Sequence, residues 1–415
     1  MKALCWPRNR DIRCDTGPDR AVQPGSGGMG ASVRRPGLYA IAGAVTLILA
    51  AEIPAVAQPS RPVLTKVADF AHQVTGVTIS PDGRIFVNFP RWTEDAPVSV
   101  AELKDGKLTP FPDEAWNGWR NARKDEMPAA RHFVCVQSVV ADAQGRLWVV
   151  DAAAPAMAAV VKDGPKLVGI DLKTNKVATT IAFDETVAPQ GSYLNDVRIS
   201  PDGTTAYLSD SGAKGALIVV DLASGRARRI LDGHASTQPD PSVTVTYDGK
   251  PLRRPDGRGV EFAADGIALS PDGATFYWQA IKGKVLYSLP TAAMTGWMTS
   301  TAVPDALTDR ILAAKIEVVG ENGPADGLII SRHDGRMYVT SPQDDAVRMR
   351  DLSAKGTTPT IVVQDPRLRW PDTFAVGSDG TIYVTTSHIQ DSAFFKEGAP
   401  IALPTELWSF KPTQP

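Results

Sequence analysis

The sequence predicts an all-β chain: a six-bladed β-propeller preceded by a short N-terminal signal or disordered segment. Three observations predict it. One phrase recurs six times: a short apolar strand, a tight turn ending in Gly, and a second strand carrying an aromatic residue. A third, more variable strand follows most copies. Finally, the segment after about residue 57 keeps a single cysteine, Cys135, so a large apolar core must hold it together instead of disulfides.

The N-terminal segment comes first. Arg34 and Arg35 precede an apolar run from Leu38 to Ala51, and Ala55-Val56-Ala57 precede Gln58. That is the three-part plan of a secretory signal with an A-x-A cleavage site. The run is shorter than the roughly 20 residues that span a bilayer, and Glu52 and Pro54 interrupt its end. Residues 1–57 are therefore read as an upstream extension plus a cleaved signal peptide, with no stable membrane anchor after cleavage. Residues 58–415 are read as one propeller domain, secreted or periplasmic. The paired arginines are compatible with either the general or the twin-arginine export route. Residues before Met29 are polar and rich in Gly and Pro, and Cys5 and Cys14 fall in this discarded part.

The six copies are TGVTISPDGRIFVNF from Thr75, QSVVADAQGRLWVVD from Gln137, NDVRISPDGTTAYLSD from Asn195, DGIALSPDGATFYWQ from Asp265, DGLIISRHDGRMYVT from Asp326 and DTFAVGSDGTIYVTT from Asp372. Each reads as a hairpin whose Gly supplies a positive φ at no steric cost. Third strands follow at Val98, Lys166, Ala216, Lys284 and Ala346. One such sheet exposes two faces and two edges; stacking six around an axis covers the faces. VLTKVADF from Val63 and TELWSFKP from Thr405 flank the repeats, so the N-terminal strand is expected to complete the last blade. Two longer inserts, a Pro-rich one at residues 234–261 and one at 294–318 with a helical spacing over Asp305–Lys315, are expected as loops on one face. Two β-sandwiches would also use short strands and turns, but lack a reason for six copies of one phrase.

The residue five positions before each turn forms a column: Thr75, Gln137, Asn195, Asp265, Asp326 and Asp372. All six are polar at the start of otherwise apolar inner strands, which places them at one mouth of the central channel. Any one of them could simply bond nearby backbone donors; six together point to a shared polar funnel. Three carboxylates there repel by about 2 kcal/mol per pair at ~8 Å and an effective dielectric of ~20. A metal ion, a cationic ligand, a neighbouring Arg or a retained proton must offset this. Oxygen donors suit Ca2+ or another hard divalent cation better than zinc, with Asp265 and Asp326 as the candidate metal ligands, and suit a ligand amine equally. Asp196 beside Asn195, and His388 just past the second strand of blade six, complete the candidate ligand-binding set. His132, His333 and His388 show no metal-ligand spacing.

A formal net charge of −2 and the absence of any long Lys/Arg run exclude nucleic acid as the expected partner and leave a small molecule. There is no G-x-S-x-G elbow, phosphate-binding loop or dinucleotide fingerprint, so no familiar catalytic class is indicated. Cys135, in HFVCVQS, reads as a small buried apolar residue.

Several long phrases in order, GRIFVNFPRW from Gly83, QSVVADAQGRLWVVD from Gln137, AYLSDSGAKGALIVVDLASG from Ala206 and RWPDTFAVGSDGTIYVTTSHI from Arg369, resemble the Yellow and major royal jelly protein family. The resemblance implies a secreted six-bladed propeller. Some animal members of that family bind small amines in the central cavity, and others are linked to dopachrome conversion and pigmentation. Animal members usually carry disulfides that this chain cannot make, so it resembles a bacterial-type member. More distantly the column is similar to that of the SMP-30/gluconolactonase propellers, which hold a divalent cation with a Glu in blade one, an Asn in blade four and an Asp in blade five, and place an Asn-Asp of blade three near the substrate. Those places hold Thr75, Asp265, Asp326 and Asn195-Asp196 here. The leading expectation is binding of a small cationic or polyhydroxylated ligand; the alternative is a metal-dependent lactonase or dopachrome-type isomerase.

Overall fold

Six four-stranded antiparallel sheets stand around a common axis in the computed structural model, which describes residues 62–298, 305–354, 356–398 and 400–412. The expectations for the signal peptide, its cleavage site, Cys5 and Cys14 lie outside the described residues.

From the inner strand outward, blade one is Val77–Ile79, Ile85–Asn88, Val100–Lys104 and Lys107–Pro110. Blade two is Val136–Ala141, Arg146–Asp151, Lys166–Asp171 and Lys176–Ala182. Blade three is Leu194–Ile199, Thr205–Asp210, Ala216–Asp221 and Ala227–Ile230, and blade four is Ala264–Leu269, Thr275–Ala280, Val285–Pro290 and Glu317–Glu321. Blade five is Leu328–Ile330, Met337–Ser341, Ala346–Arg350 and Thr360–Gln364. Blade six takes Pro371–Val376, Ile382–Thr386 and Thr405–Phe410 from the end of the chain and its outermost strand, Thr65–Phe70, from the beginning. That last pairing, Thr65 opposite Ser409 and Phe70 opposite Thr405, closes the ring as the sequence predicts. The turn glycines Gly83, Gly145, Gly203, Gly273, Gly335 and Gly380 all have φ between 69° and 86°, the left-handed region in which a side chain would be strained.

Six of the seven apolar clusters among the described residues each straddle one seam. Phe86, Val100, Val139 and Leu147 join blades one and two, and Trp148, Ile181, Leu194 and Ile218 join two and three. Leu217, Ile230, Ile267 and Phe276 join three and four, and Ala268, Leu286, Leu328 and Met337 join four and five. Val347, Phe374, Ile382 and Trp408 join five and six, and Phe70, Val77, Ala375 and Leu407 join six and one. Each fully buried aliphatic side chain contributes roughly 1.5–3 kcal/mol, so the ring is stabilised seam by seam and no blade stands alone. Cys135 is free and fully buried.

One expectation is corrected. The two inserts lie on opposite faces. Residues 231–263 link the outer strand of blade three to the inner strand of blade four, so they emerge where inner strands begin. Residues 291–316, with the helix Asp305–Ala313, link the third and fourth strands of blade four, and Thr291 Oγ1 donates to the carbonyl of the turn residue Gly273 at 2.7 Å. Strands alternate in direction, so the parity of the strand preceding an insert decides its face.

Candidate functional site

Polar residues at strand starts would ordinarily point into the seams; a recurrent irregularity turns them toward the axis. The inner strand slips register against its neighbour between Val136 and Ser138, Leu194 and Val197, Ala264 and Ile267, and Pro371 and Phe374. Those slips hold Gln137, Asn195-Asp196, Asp265 and Asp372. β-bulges re-aim side chains in this way. The bulges are anchored from behind. Asp151 accepts from the backbone N–H groups of Val134 and Cys135 at 2.8 Å each, and Asp210 from that of Tyr193 at 2.8 Å. The anchored N–H groups lie two or three residues ahead of a column residue.

Two glycines set the spacing between neighbours. A Cβ on Gly266 would sit 2.0 Å from the Asp326 carbonyl oxygen, and one on Gly327 would sit 2.0 Å from that of Asp372. Glycine therefore lets blades four, five and six bring Asp265, Asp326 and Asp372 to one cavity.

That cavity, about 20 Å3, has a polar floor of Gln137, Asn195, Asp265, Asp326 and Asp372. Trp92, Tyr193 and Phe262 wall it, with Met157, Ile281 and Ile389. Five of the six column residues are thus brought together. Thr75 is not among them: it is fully buried between blades one and two, where Oγ1 donates to the Gln137 carbonyl at 3.2 Å. Asp196 turns the other way, accepting from Ser138 Oγ at 2.8 Å and pairing with Arg198 at 2.8 Å. His388 does not line the cavity either; its ring nitrogens meet the Ala402 carbonyl at 2.8 Å and Glu406 at 3.0 Å.

The aromatic walls and their hydrogen bonds are what the column alone did not reveal. Trp370 donates its indole N–H to Asp326 Oδ2 at 2.7 Å. Trp92 donates to the Tyr193 hydroxyl, which donates to Gln137 Oε1 at 3.1 Å. Asn195 Nδ2 donates to Ser211 Oγ at 3.1 Å, and Thr373 Oγ1 donates to Asp372 Oδ1 at 3.0 Å. Trp370 stands two residues before its column Asp and Tyr193 two before its column Asn, a proximity the sequence does display.

The three carboxyls are almost inaccessible, at 5%, 6% and 3% exposure for Asp265, Asp326 and Asp372. Burial, then the charges of Asp326 and Asp372, raise Asp265 well above the usual carboxylate range. Burial, then the charge of Asp326, does the same to Asp372. Burial raises Asp326 to about 6, against the Trp370 hydrogen bond, which favours its ionised form. Asp265 and Asp326 lie in hydrogen-bonding reach of one another, which raises Asp265 further and holds Asp326 lower than burial alone would. Of the four ways of offsetting the repulsion, these upward shifts favour retained protons.

The donors do not fit a divalent-cation cage as they stand. Ca2+ takes six to eight oxygens, but one oxygen of Asp326 is committed to Trp370. Among the described residues no group of three or more His, Cys, Asp or Glu side chains is disposed to hold a metal.

The face is covered by the insert after blade three. It brings Phe262 to the cavity, and its Tyr247 donates to Asp345 of blade five. Thr246 N–H donates to Gln343 Oε1 at 2.8 Å, and the Arg369 guanidinium stacks 4.9 Å from the Tyr247 ring centroid.

Residues 134–395 match the family described as "Major royal jelly protein". No curated protein sequence matches the chain. Solved structures with the same architecture include a gluconolactonase from Xanthomonas campestris, with 13% identity, 86% of this chain and 96% of that chain covered, and a TM-score of 0.49. Regucalcin from Agrobacterium tumefaciens, described as a calcium-binding protein, has 16% identity, 85% and 94% coverage and a TM-score of 0.48. A luciferin-regenerating enzyme has 12% identity, 84% and 95% coverage and a TM-score of 0.49. Likeness at this level carries none of their chemistry over to this chain.

Proposed function

The chain belongs to the major royal jelly protein family, and on that premise we propose that it is an exported binding protein whose acidic cavity takes a small cationic ligand. One observation carries the reading: three carboxyls, each at least nine-tenths buried, face a single cavity that has no Lys or Arg among its described lining residues. Burying like charges together is costly unless a cation or a proton offsets them. The protons held by Asp265, Asp326 and Asp372 stand where a ligand cation would stand.

The walls select among cations. Trp92, Tyr193 and Phe262 line the same cavity as the carboxyls, which favours an organic ammonium carrying an apolar group over a polyhydroxylated ligand. At about 20 Å3 the cavity admits little more than a water molecule, so a larger ligand requires the lining side chains to move. Gln137 and Asn195 orient the ligand. Secretion or periplasmic location rests on the signal-like pattern ahead of Gln58.

Calorimetric titration of the protein with a panel of primary amines and matched neutral sugars tests this. Saturable binding of amines that is lost in Asp326→Ala supports it; no amine binding above background contradicts it. Metal analysis of protein purified without chelator separates the lactonase or isomerase reading. A stoichiometric divalent cation that disappears in Asp265→Ala would replace the amine reading with a metal-dependent one.

A further inference from the structure

The other mouth of the channel, where the inner strands end in the six turns, is much the larger cavity, about 440 Å3. That lies within the roughly 300–1,000 Å3 of ordinary small-molecule sites, whereas the acidic cavity falls far below it. Its walls are apolar and come from every blade: Val77, Val140, Ile199, Leu269, Ile329 and Phe374. Its floor is Arg198, whose Nη1 pairs with Asp196 at 2.8 Å and whose Nη2 crosses the channel to the Leu328 carbonyl at 2.9 Å.

The polar groups of this mouth are committed unevenly. Asp142 is the lining carboxylate, and both its oxygens are used. Oδ1 accepts from the N–H groups of Gln144 and Arg146 at 2.9 Å each, and Oδ2 from Arg146 Nε at 3.0 Å and Trp148 Nε1 at 2.8 Å. The hydroxyls of Ser80, Ser200 and Ser270 donate to Asp82, Asp202 and Asp272 of their own turns, and those three carboxylates do not line the cavity. Arg332 lines it and makes no hydrogen bond or ion pair among the described residues, and Arg198 Nε–H has no acceptor there. The unused charge facing the cavity is therefore cationic and the unused surface apolar.

We infer that the turn-side mouth is a second ligand site, distinct from the acidic cavity, for a compact organic carboxylate with an apolar body. The carboxylate meets the exposed Arg332, and the body lies against Ile199, Leu269 and Ile329. This inference does not depend on the amine reading, since Arg198 and Asp196 separate the two ends of the channel.

Calorimetry with butyrate, hexanoate and octanoate tests it, with hexylamine as the matched cation. The expected result is one saturable site for the alkanoates, with affinity rising by up to about fourfold per added methylene until the cavity is filled. Arg332→Glu, at an exposed and unpaired position, weakens hexanoate about tenfold, whereas Lys107→Glu, the same charge change on the outer strand of blade one, leaves it unchanged, and hexylamine does not compete. The absence of a saturable alkanoate site, an affinity indifferent to Arg332→Glu, or hexylamine competing with hexanoate would each overturn it.

Discussion

The indole N–H of Trp370 donates to Asp326 Oδ2 at 2.7 Å, so a fully buried tryptophan of the segment entering blade six holds a fully buried carboxyl of blade five. That bond favours the ionised carboxylate, while burial opposes it more strongly and leaves Asp326 raised to about 6. The folded chain therefore keeps a proton on Asp326 that the unfolded chain would release. Its contribution to stability is complete below the unfolded value of about 4 and is lost as pH rises through about 6, an effect on the order of 2–3 kcal/mol.

Without ligand, then, the melting temperature is expected to fall between about pH 4 and pH 7. Asp326→Asn, which keeps an oxygen for Trp370, should flatten that fall. Trp370→Phe should move its midpoint upward, because the bond that favours ionisation is gone. Thermal scans across pH measure all three, and a pH-independent melting temperature in the wild type contradicts the upward shift of Asp326.

Lys166 and Asp151 form a buried pair at 2.7 Å, with side-chain exposures of 1% and 0%. Asp151 also holds the N–H groups that precede Gln137. Asp151→Ala strands a buried ammonium and is expected to cost about 3–5 kcal/mol in urea unfolding. A loss below about 1 kcal/mol would mean that Lys166 finds other partners or escapes to water.

The ring and its closure were legible because each blade repeats a hairpin whose glycine has no substitute, and because Thr65–Phe70 pairs with Thr405–Phe410. Four of the five column residues that share a cavity sit at register slips that recur at one place in the repeat. Thr75 departs because its hydroxyl reaches the next blade's backbone, and His388 because Glu406 holds its ring. The aromatic walls were hidden: Trp92 and Phe262 come from loops with no counterpart in the other repeats. Arg198 was equally hidden, since one arginine in an inner strand shows its role only when its reach across the channel to Leu328 is known.

Tyr247 fastens the covering insert to Asp345, and Arg369 stacks on its ring. Tyr247→Phe removes the hydrogen bond and keeps the packing, so ligand association and dissociation should both accelerate, with affinity changed by less than about threefold. Stopped-flow quenching of tryptophan fluorescence reads both rates. Unchanged rates would show that entry does not pass beneath this insert.

Gly327→Ala would drive a Cβ to 2.0 Å from the Asp372 carbonyl. The expected outcome is a loss of at least about 2 kcal/mol of stability, accompanied by weaker amine binding, since the seam between blades five and six must widen. Wild-type stability in this variant would contradict the close approach that brings Asp326 and Asp372 together.

The central claim, that a cation replaces protons in the acidic cavity, is tested most directly by titrating a small aromatic amine at about pH 6 in two buffers of different ionisation enthalpy. Binding should be saturable at one site, with a buffer-dependent heat showing net proton release, and Asp326→Asn should lower both the affinity and the number of protons released. Binding with no proton release, or affinity and release that survive Asp326→Asn unchanged, would contradict it.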